Sequence, residues 1–283
     1  MYKIGLSTAG TMPDFEWFAR CRAAGIEVAE ISLAGQDYPD FDYHKAARAA
    51  QESGVALWSF HLPFVFELYD ISRADMAEES VKKLSEMIKR ASEIGIERMV
   101  IHASGEPVPE DAAGRRERME CAKDSLARLA DVAASCGCVI AVEDLPRTCL
   151  GRNSDEILEL IGAHDALRVC FDTNHLLGES PVDFIRKLKG KIITTHVSDY
   201  DFINERHWLP GEGDLDWSAI LDALREIGYD GVWLYEIGFV CPKSILRPRN
   251  LTCEDFAQNA RELFLGKKPA VISERIPNLA MWP

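Results

Sequence analysis

The 283-residue chain has no Cys-x-x-Cys pair, no apolar run near the roughly 20 residues of a membrane span, and no basic run longer than Lys267-Lys268. Each absence removes a class of function. Eight cysteines are scattered, only Cys136 and Cys138 lie close in sequence, and Cys21, Cys121 and Cys170 fall within apolar segments. That usage fits buried, reduced thiols in a cytoplasmic protein better than a disulfide frame. Without a spanning segment, no membrane partner is expected. Met1 runs almost directly into a strand pattern at Tyr2–Thr8, so no signal peptide is expected either. Few basic clusters and a formal net charge of −14 repel a phosphate backbone, so nucleic acid is not an expected partner. A phosphate-cradling Gly-x-Gly-x-x-Gly is also missing. Gly211-Glu212-Gly213 is isolated, and its glutamate would repel an anion. It reads as a turn leading into a helix capped by Asp216.

What is present is an alternation. Strand-type runs occupy Tyr2–Thr8, Ile26–Leu33, Val55–Phe60, Arg98–Ile101, Val139–Val142, Leu167–Phe171, Lys191–Thr195 and Gly231–Tyr235. Helix-type runs follow them at Pro13–Ala24, Tyr43–Ser53, Ser72–Ile94, Glu110–Ser135, Ser154–Ile161, Pro181–Leu188, Asp216–Ile227 and Glu254–Leu265. Eight β-then-α repeats without a break in composition predict an α/β fold of one domain, a (β/α)8 TIM barrel. The barrel is expected over residues 1–265, and 266–283 form a C-terminal tail. With Ile276, Leu279, Met281 and Trp282, the tail is a candidate arm onto a neighbouring subunit of a homo-oligomer.

The strand ends carry the chemistry. Val169-Cys170-Phe171 is an apolar run cut short by Asp172 and, past Thr173 and Asn174, by His175. In a parallel barrel every strand delivers its last side chain to one common mouth, so this strand ends inside a site. Strands three to eight stop in turn on His61, His102, Glu143, Asp172, His196 and Glu236, spaced by about one β/α repeat. Core packing asks for none of these, because inward barrel positions are ordinarily Val, Ile or Leu. A single strand-end histidine is ordinarily a satisfied polar residue. Glu143 after Val-Ile-Ala-Val and Glu236 after Val-Trp-Leu-Tyr are harder to dismiss, since burying a carboxylate is costly unless a cation or donors meet it. Two Glu, one Asp and one His without thiolate suit a divalent metal such as Mn²⁺, Mg²⁺, Co²⁺ or Zn²⁺. His44 and His164 fall on helix faces or turns and read as solvated. Pro63–Tyr69 is too apolar for a free loop, and reads equally as a lid over the mouth or as packing against the next helix.

These motifs resemble the xylose isomerase-like barrel superfamily, the sugar phosphate isomerases and epimerases with their cousin endonuclease IV. The likeness rests on His61-Leu-Pro-Phe, Ile101-His102, Val142-Glu143-Asp144, Phe171-Asp172-Thr173-Asn174-His175 and Thr195-His196-Val197-Ser198-Asp199. It continues in Arg206-His207 with Pro210-Gly211-Glu212-Gly213, Asp216-Trp217 and Tyr235-Glu236. The resemblance implies one divalent metal held by Glu143, Asp172, His196 and Glu236. It further implies Glu143 and Glu236 as the acid/base pair and His175 as a contact to substrate; His61, His102 and His207 are expected to contact the same small carbohydrate. The chain departs from the ketose 3-epimerase branch at Cys149, where that branch has Glu, and at Phe202, where it has Arg. Glu143-Asp144-Leu145 lacks the lysine of xylose isomerase proper. Neither substrate set carries over.

The implied chemistry is metal-assisted proton transfer beside a carbonyl. An enediolate forms as one glutamate removes a C–H proton, and the other glutamate returns it. Return to the opposite face of the same carbon epimerises, and return to the adjacent carbon isomerises. The expected activity is therefore that of a divalent-metal-dependent sugar or sugar-phosphate isomerase or epimerase. Two alternatives stand beside it: an endonuclease IV-like zinc phosphodiesterase and a non-catalytic sugar-binding barrel. The first has support in that His61, His102, Glu143, Asp172, His175, His196, His207 and Glu236 all match that family's zinc ligands, with Glu205 where it has Asp.

Overall fold

A computed structural model describes residues 1–276. The first half of the barrel runs β1 (Ile4–Ser7), α1 (Phe15–Ala24), β2 (Val28–Ile31), α2 (Tyr43–Ser53), β3 (Ala56–His61), α3 (Phe66–Tyr69), α4 (Ala77–Glu93), β4 (Arg98–His102) and α5 (Ala112–Ser135). The second half runs β5 (Val139–Glu143), α6 (Ser154–Ile161), β6 (Arg168–Asp172), α7 (Pro181–Lys187), β7 (Ile192–His196), α8 (Trp217–Glu226) and β8 (Trp233–Tyr235). β9 (Ile245–Leu246), α9 (Cys253–Phe264) and β10 (Glu274–Arg275) follow.

The eight barrel strands lie in the order β7-β6-β5-β4-β3-β2-β1-β8, and every neighbouring pair is parallel. The ring closes between β7 and β8. There the Val197 N–H donates to the Leu234 carbonyl at 2.8 Å and the Glu236 N–H to the Val197 carbonyl at 3.3 Å. This is the (β/α)8 barrel that the alternation predicts. Its helices begin where short polar side chains take up free N–H groups: Asp14, Asp42, Asp111, Asn153, Ser180 and Asp216 each accept a bond from the first turn. α1 and α2 stop at Gly25 and Gly54, whose φ angles of 94° and 78° need a residue free to turn left-handed.

Two apolar regions divide the fold. The large core lies between strands and helices and includes Leu6, Ile31, Phe60, Ile101, Val142, Phe171 and Tyr235. Small separate clusters, Val28 with Val232 and Leu234, and Val100 with Ala141 and Cys170, occupy the inward strand positions. Strand side chains alternate with period two, so the residue two places on faces inward again, one layer higher. From Val28, Val100, Ala141, Cys170 and Leu234 that step leads to Glu30, His102, Glu143, Asp172 and Glu236. The apolar floor thus sets the orientation of the polar layer above it.

One expected element differs. The helix expected from Ser72 begins at Ala77. The Asp70 carboxylate accepts the Ser72 N–H at 3.0 Å and the Ser72 hydroxyl at 2.6 Å and pairs with Arg118, which holds the chain in a turn before the helix. The tail from residue 266 returns to the barrel: β10 pairs antiparallel with β9, and Arg275 pairs with Asp214. Ile276 is described, whereas Leu279, Met281 and Trp282 of the candidate oligomer arm lie outside the described residues. No helix among the described residues is long and apolar enough to cross a membrane.

Candidate metal centre

β3, β4, β5, β6 and β7 each terminate on the side chain singled out in the sequence, His61, His102, Glu143, Asp172 and His196, and Glu236 directly follows β8. Five strands therefore end at one rim on ligand-type groups. One donor atom each from Glu143, Asp172, His196 and Glu236 lie within 4.8 Å of one another. Glu143, Asp172 and His196 are fully buried, while the Glu236 side chain keeps 14% of its surface exposed.

Glu143 is the hub. Its Oε1 lies 2.8 Å from His196 Nδ1, and its Oε2 lies 3.0 Å from His61 Nε2 and 3.1 Å from His102 Nε2. Burial works against its charge, yet attraction to His196 and His102 and their hydrogen bonds hold its carboxyl well below the usual carboxylate range. Its partners respond in opposite directions. Burial opposes a charged His61, but the hydrogen bond and attraction of Glu143, helped by Glu30 and Glu236, raise it to about 9. In His102 burial prevails and lowers it to about 4.

Asp172 poses a different problem. Its Oδ1 accepts the Asn174 N–H at 2.6 Å, but its Oδ2 is buried with no hydrogen-bond partner among the described residues. Burial first, and repulsion from Glu143 second, push this carboxyl well above the usual range. A divalent cation between Asp172, Glu143 and Glu236 would relieve both burdens, so this donor set fits one. Glu236 shows the same tension: burial, with Glu143 and Asp172 adding to it, raises it to about 7 against the attraction of His196.

Over the rim lies a cavity of about 550 Å³. His102, His175, His207 and Glu236 line it, with Phe64, Phe66 and Leu33 as apolar wall, whereas His61 lies beneath, fully buried. Pro63–Tyr69 contributes to the cavity wall at one end and packs toward a helix at the other. Phe64 and Phe66 stack on the His102 ring at 5.0 and 6.3 Å, while Tyr69 turns toward α4, under Lys83. Cys149 also lines the cavity, and Phe202 lies outside its lining. Gly211-Glu212-Gly213 is a turn, with Glu212 buried in a pair with Arg247.

Three participants were not singled out as ligands by the strand-end pattern. Glu30, fully buried on β2, accepts from Ser59 Oγ at 2.7 Å and lies 3.1 Å from His196 Nε2. An acidic residue inside the apolar run Val28-Ala29-Glu30-Ile31 is itself a signal, two residues from an inward valine. Asp144 Oδ1 accepts the Asp172 N–H at 2.8 Å, and its carbonyl faces His175 Nδ1 at 2.7 Å. Arg147, at the cavity wall, pairs with Glu106 and Glu205.

A metal-type cluster of carboxylates and imidazoles at the mouth of a parallel (β/α)8 barrel defines a class of protein. Residues 18–247 match the family described as xylose isomerase-like TIM barrel, and the chain belongs to it. Among curated relatives, the uncharacterized protein MJ1311 of Methanocaldococcus jannaschii is 30% identical over 186 residues, 61% of either chain. The uncharacterized protein y4fM of Sinorhizobium fredii is 27% identical over 172 residues, 56% of this chain and 53% of that one. The chain thus spans between half and two thirds of the length of these relatives. Among solved structures, a D-tagatose 3-epimerase-like protein superposes with a TM-score of 0.78 at 22% identity, covering 93% of this chain and 97% of the other. An L-ribulose 3-epimerase gives 0.76 at 24% identity, with 94% of each chain covered. A 3-keto-D-glucoside 4-epimerase from E. coli gives 0.73 at 18%, covering 94% of this chain and all of the other. At such identities the likeness establishes the fold.

Proposed function

We propose that the chain is a divalent-metal-dependent isomerase or epimerase of a sugar or sugar phosphate. The observation that carries this reading is the convergence of four donors from four strand ends, one of them an orphaned buried carboxylate oxygen, beneath an open cavity. Glu143, Asp172, His196 and Glu236 would hold the ion, and their hard or borderline donors suit Mn²⁺, Mg²⁺, Co²⁺ or Zn²⁺. Once bound, the ion would polarise a substrate carbonyl and stabilise negative charge developing on its oxygen.

The chain's own residues divide the remaining work. Glu236 reaches the cavity, and a carboxyl raised to about 7 by burial is matched to taking and returning a proton near neutral pH. Glu143 is its proposed counterpart across the site; to handle a proton it must release one of the histidines now on its oxygens. His61, from below, fixes that carboxylate. His102, His175 and His207 offer imidazoles to substrate hydroxyls, and Phe64 and Phe66 exclude water and give C–H faces a surface. The sugar epimerases among the similar folds support this reading by analogy of fold.

Incubating a panel of ketoses and their phosphates in heavy water with Mn²⁺ tests the proposal, because proton removal labels the substrate whatever the product. Deuterium uptake that disappears with a chelator supports it. Binding without uptake would leave a non-catalytic sugar-binding barrel.

A second reading has its own observation. His175, Glu205 and His207 form another group of ligand atoms within 4.8 Å, and His61, Glu143 and His196 a third, as a multinuclear zinc phosphodiesterase would need. Metal content separates the two: about one ion per chain supports the isomerase, and three zincs the phosphodiesterase.

A further inference from the structure

The group at His175, Glu205 and His207 is built like a metal site. His175 Nδ1 lies 2.7 Å from the Asp144 carbonyl and His207 Nδ1 lies 3.2 Å from the Glu236 carbonyl, so each ring donates its proton there. That fixes both tautomers and leaves each Nε2 bare, which is how second contacts prepare an imidazole for a cation. Glu205 Oε2 lies 3.5 Å from His175 Nε2. Two imidazoles and a carboxylate suit a borderline divalent ion such as Zn²⁺ or Co²⁺.

Arg147 alters the balance. Its Nη2 lies 3.2 Å from Glu205 Oε1, its Nε 2.9 Å from Glu106 Oε2, and its Nη1 2.8 Å from Asn204 Oδ1. The residue sits at φ 53°, a left-handed conformation that side chains other than glycine rarely adopt, so three contacts hold the guanidinium against a local backbone preference. A guanidinium keeps its charge at every working pH, and Arg147 places that charge directly on the carboxylate a second ion would need. Among the described residues Arg147 is the only Arg or Lys lining the cavity, and both of its acidic partners line the cavity with it.

We propose that Arg147 closes a latent second metal site: bonded to Glu205 Oε1, it neutralises the carboxylate whose Oε2 faces His175, and so holds this chain to one ion. This rests on the one-metal reading above for where the single ion sits, but not for the effect of Arg147 itself. Removing the charge while keeping the length should open the site. Arg147 is a third exposed, with 32% of its side-chain surface accessible, so its replacement leaves the core untouched.

The test is calorimetric titration of the metal-stripped full chain with Zn²⁺, comparing wild type, Arg147→Met, Asp172→Asn and the double variant. Arg147→Gln serves as a second neutral replacement should the methionine variant fail to fold. Arg147→Met is expected to take up one ion more than wild type, and the double variant one more than Asp172→Asn. Equal uptake with and without Arg147, in either background, overturns the proposal, as does a wild type that binds the second ion as tightly as the variant. If wild type takes up nothing while Arg147→Met takes up an ion, the one-metal reading fails and the role of Arg147 stands.

Discussion

His196 Nε2 lies 3.1 Å from the Glu30 carboxylate, and this contact decides what the other ring nitrogen can do. With one proton held toward Glu30, the ring turns Nδ1 toward Glu143 and Glu236, at 2.8 and 3.4 Å, where a cation would take the place of the Nδ1 proton. One buried glutamate outside the cavity lining thereby aims a donor into the candidate metal centre.

Glu30→Gln should therefore weaken metal binding without unfolding the chain, since Gln fills the same space and can still meet Ser59. Loss of an outer-shell partner typically lowers affinity about 10–100-fold. Titration with Mn²⁺ reads the change directly, and unaltered affinity would take Glu30 out of the site.

Glu236 should make metal binding depend on pH. Its carboxyl is raised by burial from 4.5 to about 7 in the metal-free chain, so below about 7 it holds a proton that an incoming cation must displace. Affinity should rise from pH 6 to pH 8, with more protons released at pH 6; titration in two buffers of different ionisation enthalpy counts them. The stability Glu236 gives the metal-free fold has the matching sign: it is fully present below 4.5 and is lost as pH rises through about 7. Affinity that does not vary over this range would mean that Glu236 is not a ligand.

Glu236→Gln removes the proton acceptor at the cavity wall. Exchange of solvent deuterium into substrate should fall by about 10²-fold or more, while the melting temperature changes little. Undiminished exchange would assign the acid/base role elsewhere.

Away from the cavity, Glu212 and Arg247 form an ion pair with side chains 1% and 0% exposed. Arg247→Met strands a buried carboxylate, whose loss of a partner should destabilise the chain by about 3–5 kcal/mol. Thermal denaturation measures this. Metal content should stay at the wild-type value, because Arg247 lies outside the cluster.

The barrel and most of its rim are legible in the sequence, because a parallel strand must finish somewhere and these finish on polar side chains. β3 to β7 each extend one residue beyond the apolar run to include the ligand itself, a small shift with a clear cause, since His102 and Glu143 are themselves register partners across β4 and β5. Glu30 escapes a strand-end rule because β2 continues past it to Ile31; inward parity with Val28 is the pattern that finds it. Arg147 and Glu205 meet from the loops after β5 and β7, and no local pattern encodes a contact made across the mouth. The start of α4 was hidden for the opposite reason. Helical spacing runs back to Ser72, but a buried Asp70 holds that stretch in a turn.

The most direct measurement is equilibrium dialysis of the metal-stripped chain against Mn²⁺, with wild type beside Asp172→Asn and His196→Ala. If the four strand-end donors share one cation, wild type retains about one ion per chain and each variant binds at least about tenfold more weakly. Equal retention by all three proteins, or no uptake by a folded wild type, contradicts the centre and the chemistry proposed for it.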